Sequence, residues 1–137
     1  MALFYADSSA LVKLIRDEPE SDALRTFIAD ADLVSCELVL TELPRAIRRA
    51  VVDDPRLPLD VLIARADEAL DAVGLLPIDR ALLLAAGALA EPGLRALDAI
   101  HVAAAIDLSP LDAFVSYDDR QAAAARLAGL RTIGPAG

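Results

Sequence analysis

Short apolar runs alternate with longer amphipathic segments along the whole chain. Five short runs predict strands over 2–6, 32–36, 75–78, 113–117 and 130–133. Between them, apolar residues at helical spacing predict helices over 9–17, 19–28, 37–53, 59–73, 80–90, 96–108 and 120–127. Pro44 interrupts the third helix, so its regular part is expected to begin near Leu43. The strands lack a clean apolar–polar alternation, which is typical of a parallel sheet covered by helices on both faces, and the pattern therefore predicts an α/β fold.

Composition narrows the class of protein. Of the 137 residues, 56 % are hydrophobic and 26 % are charged, which excludes a disordered, collagen-like or disulfide-stapled chain. Neither a repeat nor a linker-like tract divides the sequence, so residues 1–137 are expected to form a single domain. Acidic residues outnumber basic residues by 22 to 13, giving a net charge of −9. This balance argues against binding of nucleic acid or anionic lipid through bulk positive charge.

The sequence shows no sign of secretion or of membrane insertion. Cys36 is the single cysteine, so no internal disulfide can form. The first residues carry no basic stretch ahead of an apolar one, and the longest apolar run, 81–90, is too short to span a bilayer. We therefore expect a cytoplasmic protein that does not contact a membrane.

Carboxylates follow two of the predicted strands. Asp7 comes directly after the first strand, and Asp118 and Asp119 come directly after the strand over 113–117. In an open parallel sheet, ligands bind beyond the carboxyl ends of the strands, and divalent cations prefer carboxylate oxygens. Aspartate is also a favoured helix N-cap, and each of these acids precedes a helix. Position alone leaves both capping and metal binding open.

Two further acids and a histidine lie within predicted helices. Asp98 interrupts an apolar helical stretch, where a buried carboxylate would need a partner. His101 lies one turn later, and because no second His or Cys is near it in sequence, a hydrogen-bonded structural role is favoured over a metal ligand or a general base. Glu42 occupies a first-turn position that the helix dipole favours.

Basic residues cluster just after Glu42. Arg45, Arg48 and Arg49 form either a solvated helix face or a phosphate-binding surface. The sequence contains neither a Gly-rich phosphate loop nor a Gly-x-Ser-x-Gly elbow. These absences argue against enzymes that use a nucleotide cofactor and against serine or cysteine hydrolases.

Four local phrases, in this order along nearly the whole chain, resemble the PIN-domain family and, more narrowly, the VapC toxins of type II toxin–antitoxin pairs. The phrases are YADSSALVKL around Asp7, TEL around Glu42, LDAIHVAAA around Asp98 and FVSYDDR around Asp118. The resemblance implies a three-layer α/β/α sandwich with a central parallel sheet. It also implies a Mg²⁺-dependent endoribonuclease in which Mn²⁺ can substitute.

The resemblance assigns roles to particular residues. Asp7, Glu42, Asp98 and Asp118 correspond to the family's acidic quartet, which is catalytic and holds the metal. Asp119 is a neighbour that could replace Asp118, and Ser8 and Ser116 are expected to shape the site. Pro44 departs from the family's continuous helix, so the placement of Glu42 depends on whether the proline tilts the first turn. Flanking RNA phosphates are expected at Arg45, Arg48, Arg49 and Arg120.

The implied reaction is metal-assisted hydrolysis of an RNA phosphodiester, because a divalent ion would reverse the negative charge of the clustered carboxylates. The implied partners are RNA, a VapB-type antitoxin and a second copy of the chain. Two alternatives remain: a catalytically degenerate PIN scaffold that acts through partner binding, and a metal-dependent small-molecule phosphatase. A dehalogenase-like phosphatase would require a second aspartate two residues after Asp7, where this chain has Ser9.

Overall fold

Five strands and seven helices form the part of the chain that the structure, a computed structural model, describes, residues 1–136. The strands are β1 (Ala2–Ala6), β2 (Ala31–Cys36), β3 (Gly74–Leu76), β4 (Ala113–Val115) and β5 (Thr132–Ile133). The helices are α1 (Ser8–Ile15), α2 (Ser21–Ile28), α3 (Val39–Asp53), α4 (Leu59–Asp71), α5 (Arg80–Gly87), α6 (Ala96–Leu108) and α7 (Asp119–Leu127). Among the described residues, no helix combines the length and the apolar character needed to cross a lipid bilayer.

All neighbouring strands pair in parallel, in the order β3-β2-β1-β4-β5. After β1, the chain adds β2 and β3 on one side of it, and then returns to add β4 and β5 on the other side. The direction in which strands are added therefore reverses between β1 and β4. In open parallel sheets such a reversal opens a crevice at the carboxyl ends of the two strands, where ligands bind. The carboxyl ends of β1 and β4 are therefore the place to look for a site.

Successive residues of the central strands point into two separate cores. Phe4 and Ala6 belong to a core formed with α1, α2, α3 and α4, whereas Tyr5 belongs to a core formed with α5, α6 and α7. Phe4 stacks on Phe27 of α2 with ring centroids 4.6 Å apart, and on the other face Tyr5 stacks on Phe114 of β4 at 5.2 Å. The sheet is thus covered on both faces, and the predicted three-layer α/β/α sandwich is confirmed.

The expected late start of the third helix is wrong. α3 begins at Val39 and contains Pro44. A proline at this position has no N–H to donate to the carbonyl of Leu40, and Leu40 is a surface residue, where water can reach the helix. The first turn is closed ahead of the proline by bonds such as Glu42 N to Leu38 O at 3.0 Å. Buried apolar residues at four-residue spacing, Val39, Leu43 and Ile47, then hold the helix on the sheet.

Candidate active site

Asp7 lies at the carboxyl end of β1 and has no exposed surface. It is the N-cap of α1: its Oδ1 accepts hydrogen bonds from the Ala10 N–H at 3.0 Å and from the Ser9 hydroxyl at 2.6 Å. Its Oδ2 accepts a hydrogen bond from the Ser116 hydroxyl at 2.5 Å. Burial raises the pKa of Asp7 above its usual value, although the hydrogen bonds from Ser116 and Ser9 oppose the shift. The structure thus shows Asp7 as a helix cap, and its part in metal binding stays a prediction.

Two serine hydroxyls join the end of β1 to the end of β4. Ser116, the first residue after β4, donates to Asp7 and accepts a hydrogen bond from the Asp118 N–H at 3.1 Å. Ser9 donates to Asp7 and accepts from the Tyr117 N–H at 2.9 Å. The hydroxyl that contacts Asp7 from α1 is thus that of Ser9, where the sequence suggested Ser8. Because each hydroxyl both donates and accepts, Asp7 fixes the backbone that carries Asp118.

Asp98 and Asp118 line one open cavity of about 390 Å³, together with Arg95, Asp119 and Arg120. Asp98 lies in the first turn of α6, and Asp118 is the N-cap of α7. Burial raises the pKa of Asp98, and the like charge of Asp118 raises it further. A cation bound in the cavity would offset the repulsion between the carboxylates of Asp98 and Asp118.

Gln121 holds the two helices of this cavity together. It is buried, its backbone N–H donates to Asp118 Oδ1 at 3.0 Å, and its side-chain Nε2 donates to the carbonyl oxygen of Asp98 at 3.2 Å. These bonds set the position of the Asp118 carboxylate relative to the first turn of α6. Sequence reasoning missed this residue, since a lone glutamine in a helix carries no signal of its own.

Glu42 is bound to the histidine of α6. His101 Nε2 lies 2.6 Å from Glu42 Oε1, and His101 Nδ1 lies 2.7 Å from the Tyr5 hydroxyl. Burial alone would lower the pKa of His101, but its contacts with Cys36 and Glu42 raise it to about 10. His101 is therefore hydrogen-bonded in the core, as its sequence context favoured. Glu42 in turn raises the pKa of Asp98, which places the Glu42 charge within electrostatic reach of the cavity.

The arginines that are candidates for phosphate contacts divide into two groups by their position relative to the cavity. Arg120 borders the cavity together with Arg95, which sequence reasoning missed and whose position just before Asp98 could have drawn attention to it. The predicted RNA-contacting residues of α3 are exposed on that helix and are not among the residues that line the cavity; they are Arg45, Arg48 and Arg49. Their role as phosphate contacts stays a prediction.

The donor set suits a hard cation bound by few protein ligands. Within residues 1–136, no three His, Cys, Asp or Glu side chains come close enough together to form a complete metal cage. Mg²⁺ seldom needs such a cage, because it keeps several waters and commonly binds proteins through one or two carboxylates. The paired carboxylates of Asp98 and Asp118, with the raised pKa of Asp98, fit that mode of binding.

Comparisons with known proteins agree with one another along nearly the whole chain. The family model described as PIN domain matches residues 4–127. Ribonuclease VapC35 of Mycobacterium tuberculosis is 38 % identical over 139 residues, covering 97 % of each chain. Ribonuclease VapC46 of the same organism is 39 % identical over 137 residues, covering 98 % of this chain and 99 % of the relative.

Solved structures share the fold at lower sequence identity. Mycobacterium tuberculosis VapC20, described as a sarcin-ricin loop cleaving toxin, superposes with a TM-score of 0.71 at 16 % identity, covering 96 % of this chain and 99 % of that one. VapBC2 from Rickettsia felis, solved with a DNA fragment from its promoter, gives a TM-score of 0.69 at 14 % identity, with coverage of 97 % and 98 %.

Proposed function

Because the chain belongs to the PIN-domain family, we propose that it is a metal-dependent endoribonuclease and the toxin of a type II toxin–antitoxin pair. The observation that carries the proposal is the cavity at the carboxyl edge of the sheet, which Asp98 and Asp118 line together with Arg95 and Arg120. Paired carboxylates can hold a divalent ion, and flanking guanidinium groups can bind phosphate oxygens. Full-length similarity to proteins named ribonuclease VapC supports the same activity.

Asp98 and Asp118 would hold Mg²⁺, with Mn²⁺ able to substitute, and Asp7 and Glu42 are the other members of the catalytic acidic quartet. When bound, the ion would supply positive charge that lowers the pKa of water and offsets negative charge on the reacting phosphodiester. Asp7 contributes by fixing the Asp118 backbone through Ser116. The reaction is hydrolysis: water adds to phosphorus, and the P–O bond to one ribose breaks.

The arginines bind the substrate. Arg95 and Arg120 border the cavity and would contact the phosphates beside the reacting one. The exposed arginines of α3 would contact phosphates farther along the RNA; they are Arg45, Arg48 and Arg49. The net charge of −9 does not prevent such binding, because local arginines act on the phosphates nearest to them.

The same proposal includes binding partners and a subcellular localisation. We expect a VapB-type antitoxin, since one structural neighbour is the VapBC2 pair of Rickettsia felis. We also expect a homodimer in the cytoplasm. Large apolar side chains that would favour self-association are exposed on α5 and α6, among them Leu83, Leu84 and Leu97 at 49 %, 63 % and 50 % exposure.

The direct test is cleavage of a broad RNA panel by purified protein with Mg²⁺, Mn²⁺ or EDTA. We expect cleavage that requires the ion and falls by at least a hundredfold in Asp98→Asn and Asp118→Asn. Asp107→Asn, the same change at an exposed position of the same helix, is the matched control and should cleave normally. A folded wild-type protein that neither binds Mn²⁺ nor cleaves RNA would be a scaffold, and one that releases phosphate from small esters would be a phosphatase.

A further inference from the structure

A buried hydrogen-bonded chain connects the core to Glu42. It runs from the Tyr5 hydroxyl to His101 Nδ1 at 2.7 Å, and from His101 Nε2 to Glu42 Oε1 at 2.6 Å. Tyr5 and His101 are fully buried, whereas the Glu42 side chain is 19 % exposed. The chain therefore joins β1, α6 and α3 and ends on a carboxylate at the surface.

The direction of the last bond follows from its partners. An ionised carboxylate can only accept, so the Nε2–H of His101 donates to Glu42. This bond uses Oε1 of Glu42, and the Glu42 side chain keeps 19 % of its surface exposed. It also restricts rotation of the carboxylate, because the imidazole that binds it is itself held at its other nitrogen.

The imidazole is fixed from several sides. The Tyr5 ring stacks on Phe114 with planes 7° apart, which fixes the direction of the hydroxyl. The same ring meets His101 edge to face at 5.8 Å, and Cys36 Sγ lies 3.8 Å from His101 Nδ1. Polar groups buried in an apolar core cost free energy unless each finds a partner, and apolar side chains of similar size would fill the same space without that cost. The polar chain is better explained by what it does to Glu42.

We propose that His101 is a positioning residue, which holds the Glu42 carboxylate toward the ion, and that Tyr5 fixes the orientation of the imidazole. This inference rests on the proposed function, since it gives Glu42 a part in ion binding. Carboxylates at metal sites are themselves hydrogen-bonded by neighbouring groups, and loss of such a neighbour typically lowers metal affinity or activity by about 10- to 100-fold.

The sharpest variant is Tyr5→Phe, which removes one hydroxyl and keeps the stacked ring. We expect Mn²⁺ affinity, measured by calorimetry on the full chain, to fall about tenfold, with a similar fall in kcat for RNA cleavage and little change in KM. Ser109→Ala is the control: it also removes a hydroxyl hydrogen bond, to the Ala105 carbonyl at 2.9 Å, but at the other end of α6. The control should change neither quantity.

A double-variant cycle shows whether the effect passes through Glu42. In a Glu42→Gln background, Tyr5→Phe should produce no further loss of Mn²⁺ affinity, because the carboxylate that the chain positions has already been replaced. His101→Gln, whose amide can still donate to Glu42, should retain more affinity than His101→Leu. Full additivity of the Tyr5 and Glu42 variants would overturn the proposal.

His101 is the single histidine of the chain, so its ring nitrogen signals can be read without ambiguity by NMR. Tyr5→Phe should shift the Nδ1 signal, and Glu42→Gln should shift the Nε2 signal. If Tyr5→Phe shifts the Nδ1 signal while Mn²⁺ affinity stays within twofold of wild type, the positioning role is refuted. Wild-type protein that binds Mn²⁺ but cleaves no RNA would refute the proposed function alone, because the affinity measurements would still decide the role of His101.

Discussion

Asp7 offers a test that separates the hydrogen bonds of the site from its charge. Asparagine at this position has nearly the shape of aspartate: its Oδ1 can accept from Ser9 and Ala10, and its Nδ2 can donate to the Ser116 oxygen once that hydroxyl rotates. Alanine can do none of this. The pair Asp7→Asn and Asp7→Ala therefore differ by the three hydrogen bonds that the structure shows.

The magnitude follows from those three bonds. At about 1 kcal/mol of net stabilisation for each hydrogen bond, Asp7→Ala should be about 3 kcal/mol less stable than Asp7→Asn. For a domain of this size that difference corresponds to about 10 °C in Tm. Burial raises the folded-state pKa of Asp7 above its unfolded value, so ionisation lowers stability as the pH rises through that folded-state pKa. Asp7→Asn, which cannot ionise, should therefore be at least as stable as wild type at neutral pH.

Thermal unfolding followed by circular dichroism, with EDTA present to remove bound ions, measures both differences. RNA cleavage, measured on separate samples of the same proteins with Mg²⁺ in place of EDTA, should be lost in both variants, because both lack the negative charge of Asp7, although Asp7→Asn keeps its fold. Equal melting temperatures for the two variants would refute the hydrogen-bond network around Asp7. An Asp7→Asn protein that melts well below wild type would show instead that the charge of Asp7 stabilises the fold.

Three further predictions concern the surroundings of the site. A Cβ at Gly134 would lie 2.7 Å from the carbonyl oxygen of Ser116, so Gly134→Ala should lower both Tm and RNA cleavage, whereas Gly129→Ala should lower Tm alone. At Gly129 the positive φ of 88° makes alanine cost about 1 kcal/mol of stability. Equal RNA cleavage by Gly134→Ala and Gly129→Ala would contradict the predicted difference between them. Arg95→Ala and Arg120→Ala should each reduce the slope of log binding constant against log salt concentration by about 0.7, the value for one phosphate contact on a single strand, and an unchanged slope would show that neither binds phosphate. Mn²⁺ at a hundred times its dissociation constant should raise the free energy of unfolding by about 2.7 kcal/mol, reversibly with EDTA, and a constant Tm would contradict ion binding to the folded state.

The parts of the fold that were predictable depend on local pattern. The bounds of β1 and α6 follow from the sequence, because polar residues 7–9 follow β1, whereas Pro92-Gly93 and Pro110 lie on the two sides of α6. The placement of Asp7 and Asp118 at one edge of the sheet follows from parallel strands. The start of α3 did not follow, because the cost of Pro44 depends on whether the carbonyl it leaves free is buried, and exposure of Leu40 is a property of the folded chain.

The contacts within the site depend on distant parts of the chain. His101 and Glu42 are separated by 59 positions, and Ser9 and Ser116, whose hydroxyls both contact Asp7, by 107. Tyr5 and Asp7 are two residues apart, and side chains at this spacing along a strand point to the same face. That spacing could have suggested a polar role for Tyr5. Sequence patterns thus indicated that Asp7 and Asp118 follow strands that end at one edge of the sheet, but not which hydroxyls and which imidazole contact the acids.

Anomalous diffraction from crystals grown with Mn²⁺ would show most directly whether the cavity lined by Asp98 and Asp118 is a metal site. We expect an anomalous peak in that cavity, within a coordination distance of about 2.1 Å from a carboxylate oxygen of each residue. The peak should be absent from Asp98→Asn crystals grown in the same way. Wild-type crystals at saturating Mn²⁺ that show no peak there, or a peak only elsewhere, would contradict a metal-dependent ribonuclease site at this edge of the sheet.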